Sequence, residues 1–458
     1  MLKRTRKTLF YSLCAIFVIL GIFLITSAQG LIFNWKEIRF VKTGGIYLRY
    51  LPSDAQVFIN GKRVEQSPGI LNRGIFVKNL TPGSYEVLIQ GTNYSDWTKD
   101  ILVESGFVSA KSDVRLWPAE IPTMKFGTTT DAMFVIADRN KMISIENQAV
   151  FMGGKKIRGV QLMFSDFDSE LIATKERGGT VFLTGARDMG SSINLSELFN
   201  SLKSRQLSTL GNVPILAVTA HPWNSDRIIV ATERAIYGVD IKKIQIEQFA
   251  YGTSSIKFLL KNGSEIIGIS EDGDVIGTDV MLKKQFSFKI SSSSLNIQNA
   301  VLSPSGKEIF IKDDAENLFV YAIENAELLE LGGDVVSFAA SPDGAKVAWL
   351  DKSGNVRAFY IEKDNGDLKL PKGTFTSVNI PKTFIGGGTE IFWAYGISSH
   401  IFFKTDGSIF VSEIDPRGNS NTRMLVSDTD SSSVFGGKIH FSKKQNDGTF
   451  TVYEIDIR

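Results

Sequence analysis

The sequence has only one cysteine, Cys14, and only three histidines in 458 residues. A single cysteine forms no intramolecular disulfide, and it excludes metal sites built from two or four cysteines. His221, His400 and His440 lie far apart in the sequence. Isolated histidines of this kind are more often structural residues than metal ligands or catalytic bases. Without disulfides, the stability of this fold must come from core burial and strand pairing.

An excess of charge of either sign is also missing, because 51 Lys and Arg balance 49 Asp and Glu. Nucleic-acid binders usually carry a basic face, so this balance argues against a nucleic-acid partner. The sequence has no Gly-x-Ser-x-Gly elbow, no Gly-x-x-x-x-Gly-Lys phosphate loop and no His-Glu-x-x-His motif. We therefore predict a protein that is not an enzyme and that binds no cofactor. The 41 glycines and 32 phenylalanines fit a chain rich in strands and tight turns.

The first 35 residues read as a membrane anchor. Four basic residues (Lys3, Arg4, Arg6 and Lys7) precede an uncharged stretch that runs from residue 8 to residue 35. A helix that crosses a bilayer needs about 20 apolar residues, and basic flanks stay in the cytoplasm. The pattern predicts a single-pass membrane protein with a cytoplasmic N-terminus and an extracytoplasmic bulk. A cleaved signal peptide ending near residues 26–28 is the alternative.

Residues 44–117 predict a small β module. Residues 46–50, 56–59, 74–77, 85–89, 95–103 and 110–116 have the composition of strands. Asn60-Gly61 is a strong hairpin signal, and Thr81-Pro82-Gly83-Ser84 is a turn in which proline presets φ.

Several of these positions resemble the PEGA domain. The resemblance rests on a set of short motifs across about 70 residues. These are Ala55-Gln56-Val57, Asn60-Gly61-Lys62, Ser67-Pro68, Leu80-Thr81-Pro82-Gly83-Ser84-Tyr85-Glu86-Val87 and Asn93-Tyr94-Ser95-Asp96-Trp97. Asn93 stands where this family usually has glycine, and asparagine tolerates positive φ. The resemblance implies a β-sandwich of the kind found on bacterial and archaeal surface proteins, and it implies no enzymatic activity.

Residues 124–458 are periodic. A unit of strand, tight turn and strand occurs eight times, and its first strands begin near residues 134, 171, 228, 266, 309, 347, 401 and 439. Most spacings are near 40 residues, which is typical of a four-stranded propeller blade. Longer spacings indicate insertions at 185–212 and 361–387, the first with a short helix at 192–199 and a capping-box-like Ser192–Glu197 region. A β-helix or paired sandwiches are the alternative.

Turns such as Ser303-Pro304-Ser305-Gly306 and Ser341-Pro342-Asp343-Gly344 resemble those of Tol-system and WD-type propellers. The fold class is thus all-β, with a transmembrane helix, a β-sandwich and a propeller of eight blades, or seven if a terminal unit is incomplete. The last unit lacks an outer strand, and Met124-Lys125-Phe126 could supply one.

The turns between the paired strands carry the candidate binding residues. In a propeller these turns share a face with the connections between blades, and such loops often bind partners. The candidates are Arg139, Arg177, Arg234, Asp272, Asp313, Asp351, Asp406 and Asp447. Their acidic members could also bind Ca²⁺, but the spacing of a calcium loop is missing, so no metal site is predicted. The predicted function is non-catalytic binding of an envelope protein or glycan, and an exported propeller hydrolase is the alternative.

Overall fold

The computed structural model describes most of the chain. The described residues are 3–28, 30–34, 38–65, 74–120, 123–129, 134–138, 141–146, 149–152, 155–166, 171–185, 191–208, 211–282, 284–290, 295–380, 389–393, 396–405, 407–418, 421–435 and 438–456. They form two compact units. Unit 1 contains residues 1–121 together with 364–370 and 415–421, and unit 2 contains 122–363, 371–414 and 422–458.

Unit 1 begins with helix α1 (Lys3–Ala28). Its segment Lys7–Thr26 has 20 residues and a mean hydropathy of 2.6, so it is long and apolar enough to cross a membrane. Most of its described apolar side chains, including Leu13, Phe17 and Ile19, are exposed. The helix is followed by the hairpin of β1 (Leu31–Asn34) and β2 (Arg39–Lys42).

The rest of unit 1 is a two-sheet sandwich. Its strands are β3 (Gly44–Leu51), β4 (Gln56–Ile59), β5 (Lys62–Arg63), β6 (Gly74–Leu80), β7 (Gly83–Gln90), β8 (Trp97–Val103) and β9 (Val108–Arg115). The sheets have the orders β6-β3-β9 and β5-β4-β7-β8, with β3 and β9 parallel. Alternate residues of both sheets, among them Leu48, Val57, Val87 and Trp97, share one buried core. Ser67-Pro68, one of the motifs behind the predicted sandwich, lies outside the described residues.

Unit 2 contains, within the described residues, eight antiparallel four-stranded sheets. Four of them come first in the chain. Their strands are β11 (Phe134–Asp138), β12 (Lys141–Glu146), β13 (Ala149–Met152) and β14 (Lys155–Ile157); β15 (Gln161–Asp166), β16 (Leu171–Lys175), β17 (Val181–Gly185) and β18 (Ser192–Asn194); β19 (Ala217–Ala220), β20 (Arg227–Ala231), β21 (Ala235–Asp240) and β22 (Gln245–Tyr251); and β23 (Ile256–Asn262), β24 (Glu265–Ser270), β25 (Asp274–Asp279) and β26 (Lys284–Lys289).

Three further sheets follow the same meander. They consist of β27 (Ile297–Leu302), β28 (Glu308–Asp313), β29 (Leu318–Ala322) and β30 (Glu327–Gly332); β31 (Val335–Ala340), β32 (Lys346–Asp351), β33 (Asn355–Tyr360) and β34 (Phe375–Asn379); and β35 (Glu390–Phe392), β36 (His400–Thr405), β37 (Ser408–Glu413) and β38 (Thr422–Val426). Seven of the eight predicted strand pairs coincide with the second and third strands of their sheets, because those central strands carry the longest buried runs. The first predicted pair, at residues 133–136 and 142–145, instead matches the first and second strands of its sheet, β11 and β12.

The eighth sheet joins distant parts of the chain. It has the order β10-β41-β40-β39, in which β10 (Met124–Thr129) pairs with β41 (Phe450–Asp456). The other two strands are β39 (Ser431–Phe435) and β40 (Lys438–Lys444). The predicted role of the segment at Met124 as an outer strand is therefore confirmed.

The predicted helix in the first insertion starts later than expected. Residues 192–194 form strand β18, which pairs with β17, and helix α2 spans Leu195–Gln206. The N-cap is Asn194, whose Oδ1 accepts a hydrogen bond from the backbone of Glu197 at 3.1 Å. Glu197 Oε2 accepts from Asn194 Nδ2 in return, so the capping pair is Asn194–Glu197 and not Ser192–Glu197. Phe199 of α2 is fully buried against Tyr237.

Candidate functional site

In unit 2 the turns between the second and third strands lie on the same edge of the sheets as the connections from one sheet to the next. The amide of Gly252, in the connection after β22, donates to the carbonyl of Arg234 at 2.7 Å. Equivalent bonds join Ile297 to Glu271 and Lys352 to Asp334. We call the edge of the sheets that carries these turns and connections the turn edge. Its described turns are 176–180, 232–235, 270–274, 313–317, 351–355 and 445–449. The predicted coincidence of turns and connections is thus present.

Two of the candidate residues on the turn edge are buried and hold their own turns together. Asp313 Oδ1 accepts from the backbone of Asn317 at 2.7 Å, and Asp351 Oδ1 accepts from that of Asn355 at 3.0 Å. Arg357 Nε also donates to Asp351, at 3.1 Å. Buried carboxylates that accept backbone hydrogen bonds stabilise a turn, as in an Asx turn. In the described geometry, Asp313 and Asp351 therefore stabilise their own turns.

Four other candidates present exposed side chains. Arg177, Arg234, Asp272 and Asp447 are exposed. The carboxylate of Asp447 accepts from the amide and the hydroxyl of Thr449, at 2.9 and 2.7 Å. Arg139 and Asp406 lie outside the described residues. The exposed charges therefore come from separate sheets along one edge.

A cavity of about 270 Å³ opens at the turn edge between two neighbouring sheets. Its lining combines an aromatic ring, a carboxylate and several hydroxyl groups, from Tyr251, Ser254, Ser270, Asp274 and Ser287. Ser254 Oγ donates to Asp274 Oδ2, and Lys289 Nζ lies 3.7 Å from Asp274 Oδ1. Gly252 lets the connection approach β25, because a Cβ there would stand 2.8 Å from Ile276. The cavity can accept a small polar group that has hydrogen-bond donors as well as an apolar face.

The histidines have local roles. His221 Nδ1 accepts from the amide of Trp223 at 3.4 Å, and His400 Nδ1 lies 2.9 Å from Ser399 Oγ. His440 is buried, with Nε2 3.1 Å from Glu454 Oε2, and its Nδ1 has no hydrogen-bond partner among the described residues. Burial lowers the pKa of His440, while the hydrogen bond with Glu454 opposes that shift. Among the described residues, no three His, Cys, Asp or Glu side chains are grouped to hold a metal ion.

Unit 1 contains a buried ion cluster. Asp415 Oδ2 pairs with Lys111 Nζ, and Arg417 Nη2 donates to the same oxygen at 2.7 Å. Lys99 Nζ donates to the carbonyl of Asp415 at 3.1 Å. Burial would raise the pKa of Asp415, but Arg417 and the two lysines outweigh it and hold this pKa well below its usual range. Asp367 Oδ2, in the other short segment of unit 1, accepts from the amide of Ser112.

The segments 364–370 and 415–421 fall within the predicted repeat region of residues 124–458, and their contacts group them with unit 1. The ion cluster explains this assignment, since Asp415 bonds to side chains of β8 and β9. A weak sequence signal existed, because Lys99 alternates with the apolar Trp97 and Ile101 on the buried face of β8. A lysine on such a face needs a partner of opposite charge.

Comparisons with known proteins identify no family, since no protein-family profile and no curated protein match this sequence. Solved structures with a similar arrangement include a chain from the crystal structure of the mitotic checkpoint complex, at 12% identity and a TM-score of 0.42, which covers 64% of this chain and 86% of that one. Hsv2p of Kluyveromyces lactis matches at 10% identity and a TM-score of 0.42, with 64% and 96% covered. Hsv2 of K. marxianus matches at 12% and 0.41, with 66% and 99% covered. Similarity at this level carries no inference about function, so the interpretation of this chain rests on its own strand pairing and side chains.

Proposed function

We propose that this protein is a membrane-anchored, non-catalytic binding scaffold, in which unit 2 is an eight-bladed propeller that presents its turn edge to a protein partner. The observation that carries this proposal is the strand order of unit 2. Eight meanders follow one another, and β10 completes the sheet of β39, β40 and β41. Pairing of this kind removes a free sheet edge and is how propellers close.

The anchor is helix α1. Its basic start and its 20-residue apolar segment support a single membrane crossing with the N-terminus in the cytoplasm and the remainder outside. The sandwich of unit 1 supports the resemblance to PEGA domains, with Asn93 at φ 64° adopting the positive φ expected where that family has glycine. A bacterial or archaeal envelope protein fits both features.

The turn edge is the proposed contact surface because it carries exposed charges of both signs, Arg177, Arg234, Asp272 and Asp447, on turns of hydrogen-bonded sheets. Mixed charges suit a protein partner better than a polyanion, which needs a uniformly basic field. The proposed contact surface leaves out Asp313 and Asp351, which are buried and accept hydrogen bonds from their own turns.

The test is capture of a partner by the detergent-solubilised full chain. We expect the double variant Arg177→Glu/Arg234→Glu to retain less of the captured partner at low salt, where exposed charges act at the longest range. Lys307→Glu is the matched control, since Lys307 is exposed in the turn between the first and second strands of its sheet. Equal retention by the double variant and the wild type would show that the turn edge is not the contact surface.

A glycan is the second candidate partner, and the cavity beside Tyr251 favours it. Sugars place hydroxyl groups on carboxylates and their CH faces on aromatic rings, and both groups line this cavity. Titration with N-acetylglucosamine and with glucose, followed by the NMR signals of the sugar, tests this candidate. We expect Tyr251→Ala to abolish the line broadening and Asp272→Asn, on the neighbouring turn, to preserve it.

For the hydrolase alternative, no observation provides support. The described turn carboxylates with the best-defined surroundings, Asp313, Asp351 and Asp447, accept hydrogen bonds from their own turns.

A further inference from the structure

On the edge of unit 2 opposite the turn edge, large apolar side chains stand in solvent at the tips of turns. Met281 and Leu282, between β25 and β26, are 66% and 74% exposed. Ile244, just before β22, is 55% exposed, and Trp223, between β19 and β20, is 58% exposed. Single exposed apolar residues are ordinary, whereas a group of them on adjoining turns marks an interaction surface.

These tips are held in place by buried or capping carboxylates. Asp279 Oδ1 accepts from the amides of Met281 and Leu282, at 2.8 and 3.0 Å. Asp240, which is buried, accepts from the amide of Lys243 at 2.8 Å. The two turns thus share one arrangement. An aspartate ends the third strand and accepts hydrogen bonds from the backbone of a turn that has an apolar tip. Since the backbone of each turn is fixed by the aspartate, the exposed side chains are a stable feature of the surface.

The turns adjoin one another. The amide of Ile241 donates to the carbonyl of Asp226 at 2.8 Å, which joins the turn of Ile244 to the turn of Trp223. The amide of Val280 donates to Ser264 at 3.0 Å, and Lys261 Nζ reaches the carbonyl of Ala220 at 3.5 Å, which joins the two neighbouring sheets on this edge. We call the surface formed by Trp223, Ile244, Met281 and Leu282 the apolar tip patch.

The charges around the apolar tip patch are mainly positive. Lys242, Lys243 and Lys284 are exposed beside Ile244 and Leu282. Lys242 Nζ lies 3.6 Å from Asp226, and both of these side chains are largely in solvent. The equivalent turn of the next sheet, between β29 and β30, instead carries the exposed residues Glu324 and Asn325, and the exposed Glu327 begins β30. The combination of apolar tips and lysines is therefore present on the two neighbouring sheets of β19–β22 and β23–β26 and is not repeated on the described turn between β29 and β30.

We propose that the apolar tip patch lies against an anionic lipid bilayer, with its apolar side chains among the acyl chains and its lysines at the headgroups. Amphipathic surfaces bind membranes through buried apolar area together with attraction of lysines to anionic lipids. The tips protrude from turns and do not line a groove, which suits a deformable surface of headgroups better than a folded partner. The proposal rests on the proposed function in one respect, since α1 would bring a bilayer within reach of the chain.

The test uses the full chain in vesicles. In a Cys14→Ser background, which removes the one native thiol, Leu282→Cys is labelled with an environment-sensitive fluorophore. The protein is reconstituted into vesicles of phosphatidylcholine alone or mixed with phosphatidylglycerol, and quenching by iodide is compared with that in detergent. We expect a blue shift and a loss of quenching in the anionic vesicles. The triple variant Lys242→Glu/Lys243→Glu/Lys284→Glu is expected to lose this difference between the lipids.

A label at Asn325→Cys, on the acidic turn of the same edge, is the matched control and should stay open to iodide. A label at the native Cys14 separately reports whether α1 has entered the bilayer. If Cys14 is protected while the label at 282 is quenched as fully as the label at 325, the inference is overturned and the anchor stands. If Cys14 is unprotected, flotation of the chain with anionic vesicles and protection at 282 support the inference without the anchor. If the chain does not float with the anionic vesicles, or if the label at 282 is not protected, the inference is overturned.

Discussion

Lys111 and Asp415 form an ion pair inside unit 1 whose side chains are only 4% and 13% exposed. Lys99 and Arg417 complete the surroundings of the carboxylate. A buried charge that is surrounded by charged partners contributes strongly to stability, because removing one member leaves the others buried without a charge of opposite sign.

We expect Asp415→Asn to destabilise unit 1 by about 3 kcal/mol, since Lys99 and Lys111 would remain buried without their anion. Urea unfolding followed by the fluorescence of a unit 1 tryptophan measures the change. Asp113→Asn is the control, because its pair with Arg49 is half exposed and should contribute less than about 1 kcal/mol. Equal effects of the two variants would contradict a role for burial.

The pH dependence of this cluster follows from the lowered pKa of Asp415. The unfolded carboxyl has a pKa of about 3.9, so its folded-state contribution is fully present above that pH. The contribution is lost as the pH falls towards the folded pKa, because the unfolded state takes up the proton first. We therefore expect wild type and Asp415→Asn to converge in stability between pH 4 and the most acidic pH at which the protein stays folded. A difference in stability between the two proteins that stays constant over this pH range would contradict the lowered pKa of Asp415.

The burial of His440 predicts a second pH dependence of stability. Its sign is opposite to the one expected for a surface histidine in an ion pair. Burial lowers its folded pKa below the unfolded value of about 6.5, so the unfolded state binds the proton more readily. The stability of unit 2 should fall as the pH is lowered below about 6.5. His440→Gln should flatten this slope in thermal unfolding between pH 7 and pH 5. Because the pKa of His221 is lowered as well, adding His221→Gln should flatten it further.

The helix cap gives a prediction of modest size. Asn194→Ala removes the acceptor of the Glu197 amide and should cost about 1 kcal/mol. Asn194→Asp keeps an acceptor at the same place and should preserve stability. Chemical denaturation of the three proteins distinguishes these outcomes, and a full loss in the aspartate variant would contradict capping as the cause.

The pairing of β10 with β41 can be tested by cross-linking. Thr128 and Thr451 face each other in this register, so the cysteine pair Thr128→Cys/Thr451→Cys in the Cys14→Ser background should oxidise readily. The closed loop would stabilise unit 2 by up to about 5 kcal/mol. Thr128→Cys/Tyr453→Cys, displaced by two residues along β41, is the control and should oxidise poorly.

The sequence predicted the central strands because a blade buries them on both faces. Runs such as Ile228–Val230 and Ile309–Ile311 are apolar without interruption, and the turns after them are short and polar. It also predicted the contribution of Met124 to the last sheet, since that unit ended one strand short.

The candidate site was predicted less well for a physical reason. An aspartate in a turn has the same sequence signature whether it faces solvent or accepts hydrogen bonds from its own backbone, so Asp313 and Asp272 could not be distinguished. The bond between Lys111 and Asp415 was equally hidden, since it joins segments far apart in the chain. The exposure of Met281 and Leu282 was also hidden, because apolar residues near the end of a strand have the same sequence pattern whether they are buried or lie at the tip of a turn.

The sheet that combines β10 with β39, β40 and β41 also sets an order of events during synthesis. As the chain emerges from the ribosome, β10 is among the first strands of unit 2 to appear, and its partner β41 is the last. Throughout that interval β10 offers unpaired amides and carbonyls, which are a template for strands of other chains. The edge of β10 is therefore covered only after β41 has been synthesised, so the time needed to translate unit 2 sets how long this edge stays open.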